Sequence, residues 1–147
     1  MERSEKMTVY VYQIMIGDKK YDEVNAKGWD GVTWGSDYHN ITWDPAKNDD
    51  IDGLIDRVVD HGLVQHTMTI DSDDLDEIFA CGNGHGDLSK VTTHRDCKSI
   101  SVGDIIVDTN TNLGHMVGMF GFIPVSVQKI KEMQCKVTTS LRMGEPA

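Results

Sequence analysis

The apolar period changes once, sharply, across Gly62, and that change commits the chain to a mixed helix and strand fold. Upstream, Ile51, Leu54, Ile55, Val58 and Val59 recur at three- and four-residue spacing, with Asp52, Asp56 and Asp60 on the other side. This is the stripe of an amphipathic helix. Asp50 is placed to cap its N-terminus and Gly62 to end it. Downstream, residues 63–70 alternate, with Val64, His66, Met68 and Ile70 on one side and Leu63, Gln65, Thr67 and Thr69 on the other. That period of two predicts a strand with one more apolar face.

The same reasoning extends along the 147 residues. Residues 8–16 are rich in β-branched and aromatic side chains and read as a strand. Residues 19–26 predict a short helix stopped by Gly28. Residues 29–50 carry Trp29, Trp34 and Trp43 among Gly, Asp and Asn, and read as a long irregular loop. Ser72 is placed to cap a second short helix, with Asp73 and Asp74 in its first turn and Leu75, Ile78 and Phe79 as its buried stripe. Residues 87–98 read as loop. Gly103-Asp104 launches a strand at 105–107, residues 108–112 have turn composition, and 113–119 and 120–125 follow as strands. Residues 126–137 fit either a strand or a short helix. The expectation is a single α+β domain over 8–137, with an antiparallel sheet and two or three short helices. Residues 1–7 and 138–147 are expected to be flexible tails. The predicted core is Val9, Val11, Ile14, Leu54, Val58, Ile78, Phe79, Ile105, Val107, Val117, Phe120 and Phe122.

Charge limits the partners. The formal net charge is −10, and residues 44–77 hold eleven acids against Lys47 and Arg57. Direct nucleic-acid binding needs clustered Lys and Arg and is disfavoured. An acidic block of this kind either steers a basic partner or solubilises the chain. No apolar run is long enough to span a membrane. The mixed-charge start, Met1 to Lys6, has no apolar segment behind it, so secretion is not expected and Cys81, Cys97 and Cys135 read as reduced thiols.

A family pattern is also present. Val9-Tyr10-Val11-Tyr12-Gln13-Ile14 is followed by Asp74-Leu75-Asp76-Glu77-Ile78-Phe79, Gly82-Asn83-Gly84, the run Ser99 to Asp108, and Phe120-Gly121-Phe122-Ile123-Pro124-Val125. In order and spacing this resembles the YodL-like domain and related short phage proteins, over roughly residues 9–16 and 70–125. Residues 27–69 have no counterpart in that pattern. The resemblance carries no catalytic residues. It implies a phage-encoded accessory domain working in a host bacterial cytoplasm.

Chemical constellations are sparse. Cys81, His85, His94 and Cys97 are four possible zinc ligands, but their C-x3-H-x8-H-x2-C spacing matches no strong zinc pattern, and Cys81 also completes a helical stripe with Ile78. Asn48 to Gly53 resembles half of a calcium loop, yet Val59 stands where a bidentate Glu is required. The glycines at 82, 84 and 86 follow a helix, whereas phosphate loops precede one. No Cys or His has the flanks of a catalytic nucleophile or base. No catalytic residue, metal or cofactor is therefore expected. The sequence reads as a non-enzymatic accessory protein that binds, and in one form of this reading inhibits, a host protein. That partner is expected to be basic or itself nucleic-acid-binding. Candidate contacts are Asp49, Asp52, Asp56, Asp60, Asp73, Asp74 and Asp76 for steering, and Trp29, Trp34 and Trp43 as hot spots; the three Trp read equally well as core residues plugging the sheet. Two alternatives stay open. One is an anti-defence protein that binds or hydrolyses a nucleotide signal, which a pocket at residues 82–86 would favour. The other is a virion or assembly component.

Overall fold

In the computed structural model, described for residues 8–72, 74–82, 84, 88–94 and 97–142, a six-stranded antiparallel sheet carries helices on both faces. The strands are β1 (Thr8–Ile14), β2 (Val64–Asp71), β3 (Val91–Thr93), β4 (Ile105–Asp108), β5 (Gly114–Gly118) and β6 (Gly121–Val125), in the spatial order β3-β2-β1-β4-β5-β6. The helices are α1 (Asp18–Lys27), α2 (Gly35–Trp43), α3 (Ile51–Asp60), α4 (Leu75–Gly82) and α5 (Val127–Arg142). The α+β class is as expected, with more helix than the sequence suggested. Among the described residues no helix is long and apolar enough to cross a membrane.

One layer forms where α2, α3 and α5 cover the sheet. Tyr12, Ile14, Ile105, Val107 and Met116 pack there against Ile41 of α2, Leu54, Ile55 and Val58 of α3, and Ile130, Met133 and Val137 of α5. On the other face Val9, Val11, Met68, Ile70, Ile106 and Val117 meet Ile78 and Cys81 of α4, together with Ile100. Asp50 caps α3 as expected, its Oδ1 accepting from the Gly53 amide at 2.9 Å.

Several expectations are corrected. The stretch 29–50 is not a long loop: it holds α2 between two 3-10 turns, Trp29–Gly31 and Pro45–Lys47. Residues 87–98 include β3, an edge strand. Helix α4 starts at Leu75, so Asp74 precedes it; its Oδ1 accepts from Asp76 N at 2.9 Å, while Ser72 Oγ accepts from Asp74 N at 3.2 Å. The ambiguous 126–137 is helix, and it continues to Arg142 because no Gly or Pro interrupts it. The expected C-terminal tail therefore starts too early. The side chains of Leu75 and Phe79, and residues 1–7 and 143–147, lie outside what the structure describes.

Strand β2 does not keep one apolar face. Val11 pairs with Met68 but Tyr12 pairs with His66, leaving Thr67 as the extra residue of a bulge. Val64 therefore faces the α2/α3/α5 layer, while Met68 and Ile70 face α4. Phe120 was expected in the core and is 94% exposed. It and Met119 form the two-residue turn between Gly118 and Gly121, which is paired across the hairpin. Phe122 is half-buried against the α4-side cluster.

Candidate partner-binding surface

The three tryptophans separate by role. Trp34 is core, 4% exposed, and its Nε1 donates to Glu23 Oε1 of α1 at 3.0 Å. That bond, more than the nearby Lys27, holds the Glu23 carboxyl below its ordinary range. Trp29 is 37% exposed and Trp43 is 70% exposed. Trp29 lies parallel to Tyr38, 5.5 Å between ring centroids and 12° between planes. Trp34 stands edge-on to Trp29 at 5.8 Å, and His39 is 4.6 Å from Trp29. These offset and edge contacts are favoured aromatic geometries. They fix the α1–α2 corner as one rigid aromatic stack.

Helix spacing then lines up the surface. Ser36, His39, Asn40 and Trp43 fall three or four residues apart on α2, and all are exposed, while Ile41 and Tyr38 turn inward. Trp29, Asp30, Val32, Gly35, Ser36, His39 and Asn40 enclose a cavity of about 310 Å³ at one end of this stripe. Gly35 is needed there: a Cβ would stand 2.5 Å from the Trp29 carbonyl oxygen. Trp43 closes the other end and is followed by Asp49, Asp50 and Asp52, all exposed.

The acidic candidates do not form one face. Helix α3 packs on one side of the sheet and α4 on the other, so Asp52, Asp56 and Asp60 are separated by the sheet from Asp74 and Asp76. Asp56 accepts from Lys129 Nζ at 2.8 Å and Asp60 from Lys136 Nζ at 3.4 Å, tying α3 to α5. Hydrogen bonds from Asp56 and Glu132 hold the Lys129 ammonium far above the ordinary lysine range. Among the described residues Asp49 and Asp52 have no ion pair. Asp73 lies outside the described residues.

The zinc candidates are not brought together. Cys81 is buried in the α4-side cluster, whereas His94 lies on the opposite face, its Nε2 2.6 Å from Thr69 Oγ1 and its ring 4.7 Å from that of His66. Cys97 is exposed and His85 is outside the described residues. No group of three metal-binding side chains stands together among the described residues.

A second cavity, of about 420 Å³, is lined by Met68, Cys81, Gly82, Gly84, Val91, Thr93, Cys97, Lys98 and Ser99. Lys98, the one Lys or Arg among the described residues of the lining, already donates to Ser101 Oγ at 2.7 Å and stands 3.5 Å from the buried Asp104 carboxylate. The sequence signalled a pocket at residues 82–86 and singled out Cys81 and Cys97, while Met68, Val91, Thr93, Lys98 and Ser99 carried no signal for it.

No protein-family model matches the chain, and no curated protein or solved structure does either.

Proposed function

We propose that the protein is a non-enzymatic accessory protein of the phage type that docks on a basic host protein through the α1–α2 corner. The observation that carries this reading is the exposed stripe of Trp29, His39, Asn40 and Trp43 on a corner locked by Trp34, with free acids at its end. Exposed Trp on a rigid support is the residue type that dominates binding energy. Asp49 and Asp52, beside Trp43 in the chain, supply charge complementary to a basic surface. The YodL-like pattern at 9–16 and 70–125 agrees with the accessory role and covers none of this corner. The α1–α3 insertion would then be what distinguishes this chain's partner.

The test is capture from bacterial lysate with wild type, Trp43→Ala, Asp49→Asn/Asp52→Asn, and Asp74→Asn/Asp76→Asn. A protein retained by wild type and by the α4 variant, lost with Trp43→Ala, and weakened by salt supports the reading. Equal retention by wild type and all three variants overturns it.

The second cavity favours a different reading, a small-molecule binder. Its lining of Met68, Cys81 and Val91 suits an apolar ligand. Among the described residues a nucleotide signal is poorly matched, because phosphates attract several free cations and Lys98, the one Lys or Arg in the lining, is engaged. Thermal-shift titration with small apolar molecules separates the two readings: stabilisation would favour this one.

A further inference from the structure

The docking corner contains a socket, and its chemistry specifies what enters it. We infer that the cavity between Trp29, Asp30 and His39 receives one cationic side chain of the partner, an arginine guanidinium in preference to a lysine ammonium. This inference rests on the docking reading and names the residue type that the corner recognises.

Four observations converge. The cavity, about 310 Å³, has the size to admit a single long side chain and is open to the surface. Its walls include two aromatic rings, Trp29 and His39, while Tyr38 backs Trp29 without lining the space. An indole face attracts a cation through its quadrupole, and Trp is the best of the aromatic side chains at this. Among the described residues Asp30 is the one carboxylate in the lining, and no Lys or Arg shares it. Asp30 is exposed and makes no ion pair among the described residues. Ser36 and Asn40 add a hydroxyl and an amide that can accept N–H donors.

The guanidinium preference follows from shape. A planar fork can stack on the indole and donate two parallel bonds to one carboxylate, whereas an ammonium is a compact, strongly hydrated point charge. The socket is also formed before binding. The Trp29–Tyr38 stack, the Trp34–Glu23 bond and the close approach of Gly35 to the Trp29 carbonyl leave little to order. Pre-organisation lowers the entropic cost of capture. An anionic ligand is opposed by Asp30 and by the chain's net charge of −10.

The experiment uses the full chain and defined probes: N-acetyl-arginine amide, N-acetyl-lysine amide and the neutral isostere N-acetyl-citrulline amide, followed by the Trp29 indole and His39 ring signals in NMR. The arginine probe should shift both signals with a dissociation constant on the order of millimolar. The lysine probe should bind more weakly, and citrulline should shift neither signal. Asp30→Asn should weaken the arginine probe by about fivefold, and Asp52→Asn should leave it unchanged. Because Asp30 is exposed, its Asn variant tests the socket without risking the fold. Equal shifts with citrulline, or an unmoved Trp29 signal in a fully folded protein, would overturn the socket. If the socket fails while Trp43→Ala still abolishes partner capture, the docking reading stands alone. If the arginine probe binds while Trp43→Ala and Asp30→Asn leave capture unchanged, the docking reading fails, and with it the partner as the source of the cation.

Discussion

Gln13 and Asp104, 91 positions apart in the chain, meet at 2.9 Å with neither side chain reaching solvent. Asp104 Oδ2 also accepts from Ser101 N at 3.0 Å, and Oδ1 from Ile14 N at 3.1 Å. Gln13 Oε1 accepts from Thr67 Oγ1 at 2.7 Å and from Lys98 N at 3.2 Å. Burial pushes the Asp104 carboxyl up, against Lys98 and these donors, which pull it down. Gln13 and Asp104 together thus tie the end of β1 to the bulge in β2 and to the 97–104 segment. Asp104→Ala strands several buried donors and should cost about 3–5 kcal/mol in denaturant unfolding. Asp104→Asn should also be clearly destabilising, because its NH2 must face donors on one side. A loss below about 1 kcal/mol for the Ala variant would contradict this role.

Acid should weaken the fold through His66. Its ring packs against Tyr10 and Tyr12 and lies 4.7 Å from His94. Burial first, then His94, pushes its pKa down to about 4, against the Met68 carbonyl contact. A histidine with a folded pKa below its unfolded value stabilises the fold while neutral. That contribution is complete above the ordinary value of 6.5 and is lost as pH falls through that window toward 4. Because the ring is partly solvated, about 1–2 kcal/mol is expected, less than the full shift implies. His66→Gln should remove that slope from the stability–pH curve; parallel curves for both proteins would sink the assignment.

The β5–β6 hairpin separates two phenylalanines. Phe120→Ala should change stability by less than about 0.5 kcal/mol, since the ring is 94% exposed. Phe122→Ala removes a half-buried ring packed beside Val117 and should cost about 1–3 kcal/mol. Equal unfolding midpoints for the two variants would show the turn to be placed wrongly.

Neutralising α3 is not structurally silent. Asp56→Asn takes a partner from Lys129, whose side chain is 10% exposed, and should cost about 1 kcal/mol. Asp52→Asn should be close to neutral. Urea midpoints for the two single variants decide this, and a larger loss for Asp52→Asn would contradict the α3–α5 pairing.

Much of the fold is legible in the residues, and the exceptions have local causes. Helix α3 is written in a five-residue stripe with a cap, and β4 and the start of β5 are written in turn chemistry around 103–104 and 108–112; the turn at Met119 and Phe120 is not, because two apolar residues carry no turn signal. Helix α2 is hidden because its apolar signal is little more than Tyr38 and Ile41; it is held by packing, with a Cβ at Gly103 only 2.5 Å from the Ile41 carbonyl oxygen. Strand β3 is three residues long, too short for a period, and exists by pairing with β2. The Thr67 bulge breaks an alternation that looked continuous. Helix α5 did carry a signal in Ile130, Met133 and Val137, at helical spacing. At the candidate surface, the sequence did not separate exposed Trp29 and Trp43 from buried Trp34, because Trp is both a frequent core residue and a frequent contact residue. The cavity was not legible either, because it needs the Trp29–Tyr38 stack. The separation of the acids by the sheet is likewise invisible in a count of charges.

The central claim is that the α1–α2 corner, and not the acidic block as a whole, makes the contact. The most direct measurement is the association and dissociation kinetics of the captured partner with wild type, Trp43→Ala, Asp49→Asn/Asp52→Asn and Asp74→Asn/Asp76→Asn at low and high salt. The account predicts faster dissociation for Trp43→Ala. It predicts a slower, less salt-sensitive association for Asp49→Asn/Asp52→Asn, and wild-type kinetics for the α4 variant. Loss of binding in the α4 variant, with Trp43→Ala behaving as wild type, would contradict it.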